Sequence, residues 1–193
     1  MDDNEKVNRY PFFLFLIHVA FAIVVATWFI CTVVQAQEGQ QRQSNDVTTL
    51  LLAKSFVAEG GWRSPFDHAG LAHTLKRRSD RLGIPFNTMI RNYVALFDRR
   101  TKKTNDVKWK LELNLKGTRP QHWPKTVSWT KHKPLWFDII ARAKAFQLGA
   151  LADPCPGSWH WGGPMDKPSS GMIRIRCQKD TRNTFYRTAG QNF

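Results

Sequence analysis

Two glutamates are the strongest candidates for acid catalysis, since Glu59 and Glu112 are the only glutamates beyond residue 45. Glu59 follows an apolar helical pattern and precedes Gly60 and Gly61, which places it at a helix C-terminus. The helix dipole and the apolar neighbours both favour the protonated carboxylic acid there. Such a group can protonate the leaving oxygen of a glycosidic bond. The alternative is a surface Glu at a frayed helix end, whereas Glu112, on a polar face, is expected to be solvated.

A second candidate site is the segment from Cys155 to Gly163, which concentrates aromatic and glycine residues. Its tryptophans could stack on a sugar ring, and His160 could hydrogen-bond an N-acetyl or hydroxyl group. An aromatic plug fixed by Cys155 would explain the same residues equally well. The full set of candidate substrate-binding residues is Trp62, Asp67, Tyr93, His160 and Trp161.

Metal chemistry has weaker support. The spacing from Ser158 through His160 to Asp166 is similar to a zinc motif of D-Ala-D-Ala peptidases, but the Asp is displaced by one position and no later His completes a site with three ligands. His68 and His73 are five residues apart and point in different directions on a helix. We therefore expect neither a metal nor a cofactor, and a zinc peptidoglycan peptidase remains a minor alternative.

Helices must position these residues. Apolar residues at helical spacing predict four helices after residue 45, over 46–59, 67–82, 85–97 and 134–148. Asp46 and Asp67 are expected to cap the first two, and glycines follow the first, second and fourth. The prediction places Glu59 at the end of the first helix and Tyr93 on the third.

Strands are expected to contribute less. Apolar residues alternate with polar ones from Val107 to Leu115, which predicts a strand, and a second short strand is expected at 172–176. Residues 117–133 lack a period and indicate an ordered loop, and Asn183 to Tyr186 is expected to close the core against the first helix. The fold class is therefore mainly α, with a minor β element (α+β).

The N-terminal region indicates a membrane anchor. Residues 10–37 contain no Asp, Glu, Lys or Arg, and residues 12–34 are almost continuously apolar. At roughly 1.5 Å per residue, such a helix would cross a hydrocarbon core of about 30 Å. A secretory signal cut after Val34-Gln35-Ala36 and a long core helix are the alternatives. The prediction is a tail over 1–11, an anchor over 12–34, a polar Gln-rich tether over 35–46 and a working domain over 47–193.

The cysteines allow one disulfide. Cys31 lies in the predicted anchor, which leaves Cys155 and Cys177 as a possible pair in an exporting compartment. Two free thiols or a metal-binding role remain open alternatives, although no C-x-x-C spacing supports zinc.

Residues Leu51 to Arg78 resemble the opening of cell-wall hydrolases of the spore-cortex-lytic type. The family pattern is an apolar helix ending in Ala-Glu, a glycine-containing turn, and a second helix that is rich in small residues and closes near an Arg. The matching positions here are Ala58, Glu59, Ala72 and Arg78. The resemblance implies a fold like that of lysozymes and lytic transglycosylases, with Glu59 as the catalytic acid.

A second carboxylate is not assigned. Where the family has a further acidic residue in its turn, this chain has Arg63 and Ser64. Hydrolysis by two carboxylates is the common glycosidase mechanism. The resemblance implies another route, because a lytic transglycosylase works with one acid/base while the 6-hydroxyl of its substrate acts as the nucleophile.

The charge of the chain favours an anionic partner. Its 29 Lys and Arg outnumber 15 Asp and Glu, for a net charge of +14, and its 8 Trp are too many for a disordered basic tail. We expect a membrane-anchored muramidase or lytic transglycosylase that faces the periplasm or wall and binds peptidoglycan and anionic wall polymers or lipids. The membrane would be a bacterial inner membrane or a virion membrane, as in a phage lysis protein or a virion-associated enzyme that opens the wall.

Two non-enzymatic alternatives remain. A membrane-tethered binder of nucleic acid is compatible with the charge and the aromatic residues, but the basic residues are dispersed and no nucleic-acid motif is present, so nucleic acid is a less favoured partner. The other alternative is a structural membrane protein of a virus particle with hydrolase ancestry.

Overall fold

The computed structural model describes residues 10–97, 105–163, 166, 168–178 and 181–190, with backbone alone for 10–20, 22, 105 and 106. The chain divides into two units, residues 1–44 and 45–193. The second unit combines helices with one three-stranded sheet. The predicted fold class, mainly α with a minor β element, is confirmed for the described residues.

Helix α1 spans Tyr10–Ser55. The segment predicted as a polar tether, 35–46, is therefore helical. Its Gln, Glu, Arg and Ala residues are good helix formers, and the segment lacks proline and contains only one glycine, Gly39. The tail residues 1–9 and the side chains of residues 12–20 and 22, which belong to the predicted anchor, lie outside the description. Across the described residues, none of the helices combines the length and the apolar character needed to cross a membrane.

The helix that follows the Glu59 turn begins earlier than predicted. Helix α2 spans Pro65–Leu82, with Ser64 at its N-cap position, so Asp67 is the third helical residue rather than the cap. Pro65 suits the first helical position because its missing N–H has no partner there in any helix. The predicted end is confirmed, since Gly83 takes a left-handed conformation (φ +63°) that favours glycine.

The predicted third helix is interrupted. Helix α3 spans Phe86–Tyr93, Val94 is extended, and a 3₁₀ turn covers Ala95–Phe97. After this break, the Ala95 N–H donates to another part of the chain, the Oε1 atom of Glu59, at 3.1 Å.

The strand predicted from Val107 to Leu115 is wrong, because helix α4 occupies Asn105–Glu112. Trp109 and Leu113 are buried, and they are four residues apart, which is a helical repeat as well as two strand repeats. The basic segment 98–104 before α4 lies outside the described residues.

The last helix begins within the predicted loop. Helix α5 spans Trp129–Gln147, so the loop ends at residue 128 rather than 133. The loop is ordered as predicted: Trp123 Nε1 donates to the Val127 carbonyl at 2.7 Å. The helices surround one apolar core, whose most buried members are Leu52, Phe56, Leu71, Met89, Leu113, Trp136 and Ile139.

The sheet contains β1 (His160–Gly162), β2 (Met172–Arg174) and β3 (Thr184–Thr188) in the order β1-β3-β2, with both pairs antiparallel. Tyr186 of β3 pairs with His160 on one side and Arg174 on the other. The sheet packs on α2 at Gly70, where an added Cβ would lie 2.6 Å from Cζ of Phe185. The fold therefore requires glycine at this contact.

Candidate active site

Glu59 lies in a π-helical turn, Phe56–Gly60, that ends the first helical segment. Its half-buried carboxylate accepts hydrogen bonds from two distant parts of the chain. The Ala95 N–H donates to Oε1 at 3.1 Å, and Nε1 of Trp161 donates to Oε2 at 3.3 Å. Because each oxygen receives one neutral donor, the carboxyl group is fixed in orientation without a charged partner in either bond.

The turn around Glu59 depends on two glycines for different reasons. A Cβ at Gly60 would lie 2.8 Å from Cδ2 of His68 and 3.2 Å from Cβ of Asp67. Gly61 instead has open space around it but takes φ +74°, which disfavours other residues. The two glycines let α2 pack directly behind Glu59.

His68 supports the same turn from α2. The side chain is fully buried and stacks on Phe56, with ring centroids 4.8 Å apart. Burial lowers the pKa of His68 to about 4, and the nearby Arg142 adds to this effect, although the hydrogen bond to Gly61 opposes it. The neutral ring can donate from Nε2 to the Gly61 carbonyl, 2.8 Å away. His68 therefore has a structural role at neutral pH.

Asp67 was a candidate substrate ligand, and the structure places it in the interior. It is fully buried, and its carboxylate accepts from the Ser64 hydroxyl, from Arg182 N at 3.1 Å and from Asn183 N at 2.9 Å. With three protein donors and no exposed surface, Asp67 is not open to a substrate. It is a positioning residue that joins the start of α2 to the approach to β3.

Asn183 extends this connection to Glu59. Its side-chain Nδ2 donates to the Glu59 carbonyl at 2.9 Å while its backbone N–H binds Asp67. The sequence prediction that Asn183 to Tyr186 packs near the first helix is consistent with this bond. The role of Asn183 itself was missed, because a contact across 124 residues leaves no local pattern.

Arg78 brings Tyr93 and His160 together. Its guanidinium carbon lies 3.8 Å from the centre of the Tyr93 ring, and its Nη1 is 3.2 Å from both the Trp159 carbonyl and Nδ1 of His160. Burial lowers the pKa of His160, and the positive charge of Arg78 lowers it further. Neutral His160 can then accept at Nδ1 from Arg78 and donate from Nε2 toward Thr188, 3.4 Å away.

These contacts form a closed ring beside the carboxyl group. Trp161 binds Glu59 and follows His160, His160 binds Arg78, and Arg78 covers Tyr93, which lies two residues before Ala95. The structure thus brings together four of the predicted site residues: Glu59, Tyr93, His160 and Trp161. Tyr93 is 39% exposed, so this set of contacts is open to solvent at Tyr93.

Trp62, a predicted substrate-binding residue, packs in an aromatic cluster instead. Its ring stacks on Trp109 at 5.9 Å and meets the edges of Trp123 at 5.9 Å and His132 at 5.2 Å. These contacts use much of the ring surface, so Trp62 chiefly anchors the turn after Glu59 to helices α4 and α5.

No family model, curated protein or solved structure matches this chain. The chemistry of the site therefore has to be inferred from its own geometry.

The loop before β1 is fixed to α2 by Arg77. Its Nε donates to the Ser158 carbonyl at 2.9 Å, Nη2 to the Cys155 carbonyl at 3.2 Å, and Nη1 to Asp153. A disulfide between Cys155 and Cys177, with Cα atoms 4.4 Å apart, ties the same loop to the segment after β2. Together these bonds fix the position of β1 and hence the Trp161 indole that contacts Glu59.

The motif similar to a zinc site makes other contacts. Ser158 is fully buried and hydrogen-bonds Thr74, and Asp166 Oδ2 accepts from Gly163 N at 2.6 Å. Throughout the described part of the chain, no three His, Cys, Asp or Glu side chains are grouped as metal ligands would be.

Proposed function

We propose that residues 47–193 form a peptidoglycan-cleaving domain, a muramidase or lytic transglycosylase, with Glu59 as its general acid/base. The bond to be cut is the one between N-acetylmuramic acid and N-acetylglucosamine. The observation that carries this proposal is the half-buried Glu59 carboxyl group, whose two oxygens are held by neutral N–H donors from Ala95 and Trp161.

The two donors suit both halves of an acid/base cycle. When Glu59 gives its proton to the glycosidic oxygen, the resulting carboxylate keeps both hydrogen bonds, which stabilise the negative charge. The same carboxylate then accepts a proton from the attacking hydroxyl group. Neither hydrogen bond has to break during the cycle, so the group can act without reorganisation.

The role of Asp67 favours the transglycosylase outcome. Hydrolysis by two carboxylates requires the second one to reach the sugar or a water beside it. Asp67, the nearest acidic residue along the chain, is fully buried and fully hydrogen-bonded. Attack by the 6-hydroxyl of the substrate needs only Glu59, and it leaves an anhydro end on the released fragment.

Tyr93, His160 and Trp161 are proposed as the substrate contacts. Tyr93 and Trp161 can pack against sugar faces. Nδ1 of His160 already accepts from Arg78, so His160 would offer its Nε2–H to a hydroxyl or N-acetyl oxygen in place of the 3.4 Å contact with Thr188. Arg78 orients two of these three residues and is a positioning residue.

We further propose that residues 12–34 anchor this domain to a bacterial inner membrane or virion membrane, so that it faces the wall. The described side chains of this segment support the proposal, because large apolar residues point outward on several sides. Phe21, Trp28, Phe29 and Ile30 are each at least 60% exposed. Exposed apolar surface of this kind is rare in water and favourable in lipid. A phage lysis protein or a virion-associated wall-opening enzyme would have this architecture.

Digestion of purified peptidoglycan by the detergent-solubilised full chain tests the function. We expect released disaccharide-peptide fragments whose masses show anhydro ends, and no such fragments from Glu59→Gln. Reducing ends instead of anhydro ends would show a muramidase. Peptide fragments with intact glycan strands, or no digestion at all, would contradict the proposal.

A further inference from the structure

A groove of about 390 Å³ lies between the end of β2 and the start of β3. Two arginines, Arg174 and Arg176, line it together with the polar residues Thr181 and Asn183 and with Phe185. Its volume is within the range of small-molecule sites, which is about 300–1,000 Å³.

Within the described residues, the two groove arginines have no acidic partner. Both are exposed, and within the described residues neither makes an ion pair or a side-chain hydrogen bond. Elsewhere on the same unit, Lys76 pairs with Asp80 and Arg77 pairs with Asp153. Two unpaired guanidinium groups at a concave surface attract carboxylates, which they can bind in bidentate geometry.

The groove is preformed. The Cys155–Cys177 disulfide holds one wall, and Ile175 N donates to the Phe185 carbonyl at 3.0 Å between the walls. The other wall is held by the Thr181 hydroxyl, which donates to the Asn183 carbonyl at 2.8 Å, and by the bond from Asn183 N to buried Asp67. A rigid site binds without a large ordering cost.

Asn183 connects the groove to the catalytic turn. The same residue lines the groove and donates from Nδ2 to the Glu59 carbonyl at 2.9 Å. A ligand in the groove would therefore lie next to a glycan strand that is held at Glu59.

We propose that this groove binds the carboxylate-bearing peptide stem of the peptidoglycan strand, with Arg174 and Arg176 pairing with its carboxylates. The assignment rests on the proposed function. A peptide fits better than a nucleic acid, because single-stranded nucleic acid needs exposed aromatic rings for stacking and Phe185 is only 1% exposed.

The test compares two polymers and two double variants of the full chain. Arg174→Gln/Arg176→Gln should lower kcat/KM on intact peptidoglycan about tenfold, as expected for the loss of charge-assisted hydrogen bonds, and leave cleavage of peptide-stripped glycan strands unchanged. The matched control, Lys116→Gln/Arg119→Gln, removes the same charge from an exposed loop and should behave like the wild type on both. Arg174→Lys/Arg176→Lys should recover part of the loss, and the melting temperature of each variant shows whether it is folded.

Equal effects of the groove variant on both polymers, or no effect on either, would overturn the assignment while leaving the proposed function intact. A second readout is independent of catalysis: titration of Glu59→Gln with a free stem tetrapeptide should show binding that is lost when both groove arginines are replaced. If the wild type cleaves neither polymer, the proposed function fails. The titration then tests by itself whether the groove binds the tetrapeptide. Tighter groove-dependent binding of a single-stranded oligonucleotide than of the tetrapeptide would overturn the peptide assignment.

Discussion

Glu59 and Glu112 each lie at the end of a helical segment, yet their carboxylates are held in contrasting ways. Glu59 accepts from neutral N–H groups that are 36 and 102 residues away, whereas Glu112 accepts from the backbone and ring of His122, ten residues away. Burial raises the pKa of Glu112, but the hydrogen bonds and charge of His122 outweigh this and lower it overall.

The difference separates a carboxylate that is held by neutral N–H donors from distant parts of the chain from one that is paired locally with a histidine. Protonation of Glu112 would weaken its two bonds from His122, and these bonds lower the pKa of Glu112. Glu59 keeps neutral donors in either state. The orientation of the Glu59 carboxylate therefore depends on distant parts of the fold, because its donors come from the 3₁₀ turn and from β1.

The pH dependence of the free energy of unfolding should distinguish most clearly the histidine beside Glu59 from the histidine beside Glu112. The pKa of His68 is lowered from 6.5 to about 4, so the unfolded chain takes up its proton more readily than the folded chain. The free energy of unfolding should therefore fall as the pH drops below about 6.5 and level off below about 4, by about 3 kcal/mol in total. Denaturant unfolding at pH 7 and pH 4 measures this.

The matched pair for that experiment is His68→Gln and His122→Gln. We expect His68→Gln to lose most of the pH dependence and His122→Gln to keep most of it. An unchanged pH dependence in His68→Gln would show that the buried ring beside Glu59 is not the source.

Packing behind Glu59 gives the next largest effect. Gly60→Ala would place a Cβ 2.8 Å from His68, whose ring is stacked on Phe56, so overpacking should cost roughly 1–3 kcal/mol in the free energy of unfolding. Gly39→Ala is the control, because Gly39 lies in α1 with no atom within 4 Å of the added Cβ, and it should cost nothing. Equal stabilities of the two variants in denaturant unfolding would contradict the tight turn.

The smallest effect is expected on the Glu112 side. Because the folded pKa of Glu112 is lowered, the pairing with His122 stabilises the fold above pH 4.5 and the contribution is lost as the pH falls through that folded pKa. His122→Ala should destabilise the protein at pH 7 by about 0.5 kcal/mol, since both side chains are partly exposed, and this difference from the wild type should vanish in acid. Glycan cleavage should be unaffected, and a loss of cleavage would undermine the distinction between the two glutamates.

Local sequence signals predicted much of the fold. Gly83 marks the end of α2, and the apolar spacing from Val47 to Val57 indicates the helix that leads to Glu59. The alternation from Val107 to Leu115 wrongly predicted a strand, because Trp109 and Leu113 satisfy a helical repeat as well. Only packing in the surrounding core selects the helix. The polar composition of segment 35–46 predicts a tether, but its residue types also favour the helix that the segment forms.

The candidate site was predictable only in part, for a physical reason. Glu59 could be singled out from its neighbours in sequence, but the groups that hold it could not. Ala95 contributes a backbone N–H, which any residue could supply, and Asn183 acts across 124 residues. Asp67 was misjudged because its burial depends on the approach to β3, which no local pattern reveals.

The most direct test of the account is the rate of glycan cleavage by Glu59→Gln and Glu112→Gln, measured side by side on the same peptidoglycan. Both variants remove one carboxylate while keeping the shape of the side chain. We expect a loss of about 100-fold or more for Glu59→Gln and close to wild-type activity for Glu112→Gln. Equal activities of the two variants, with both folded, would contradict it.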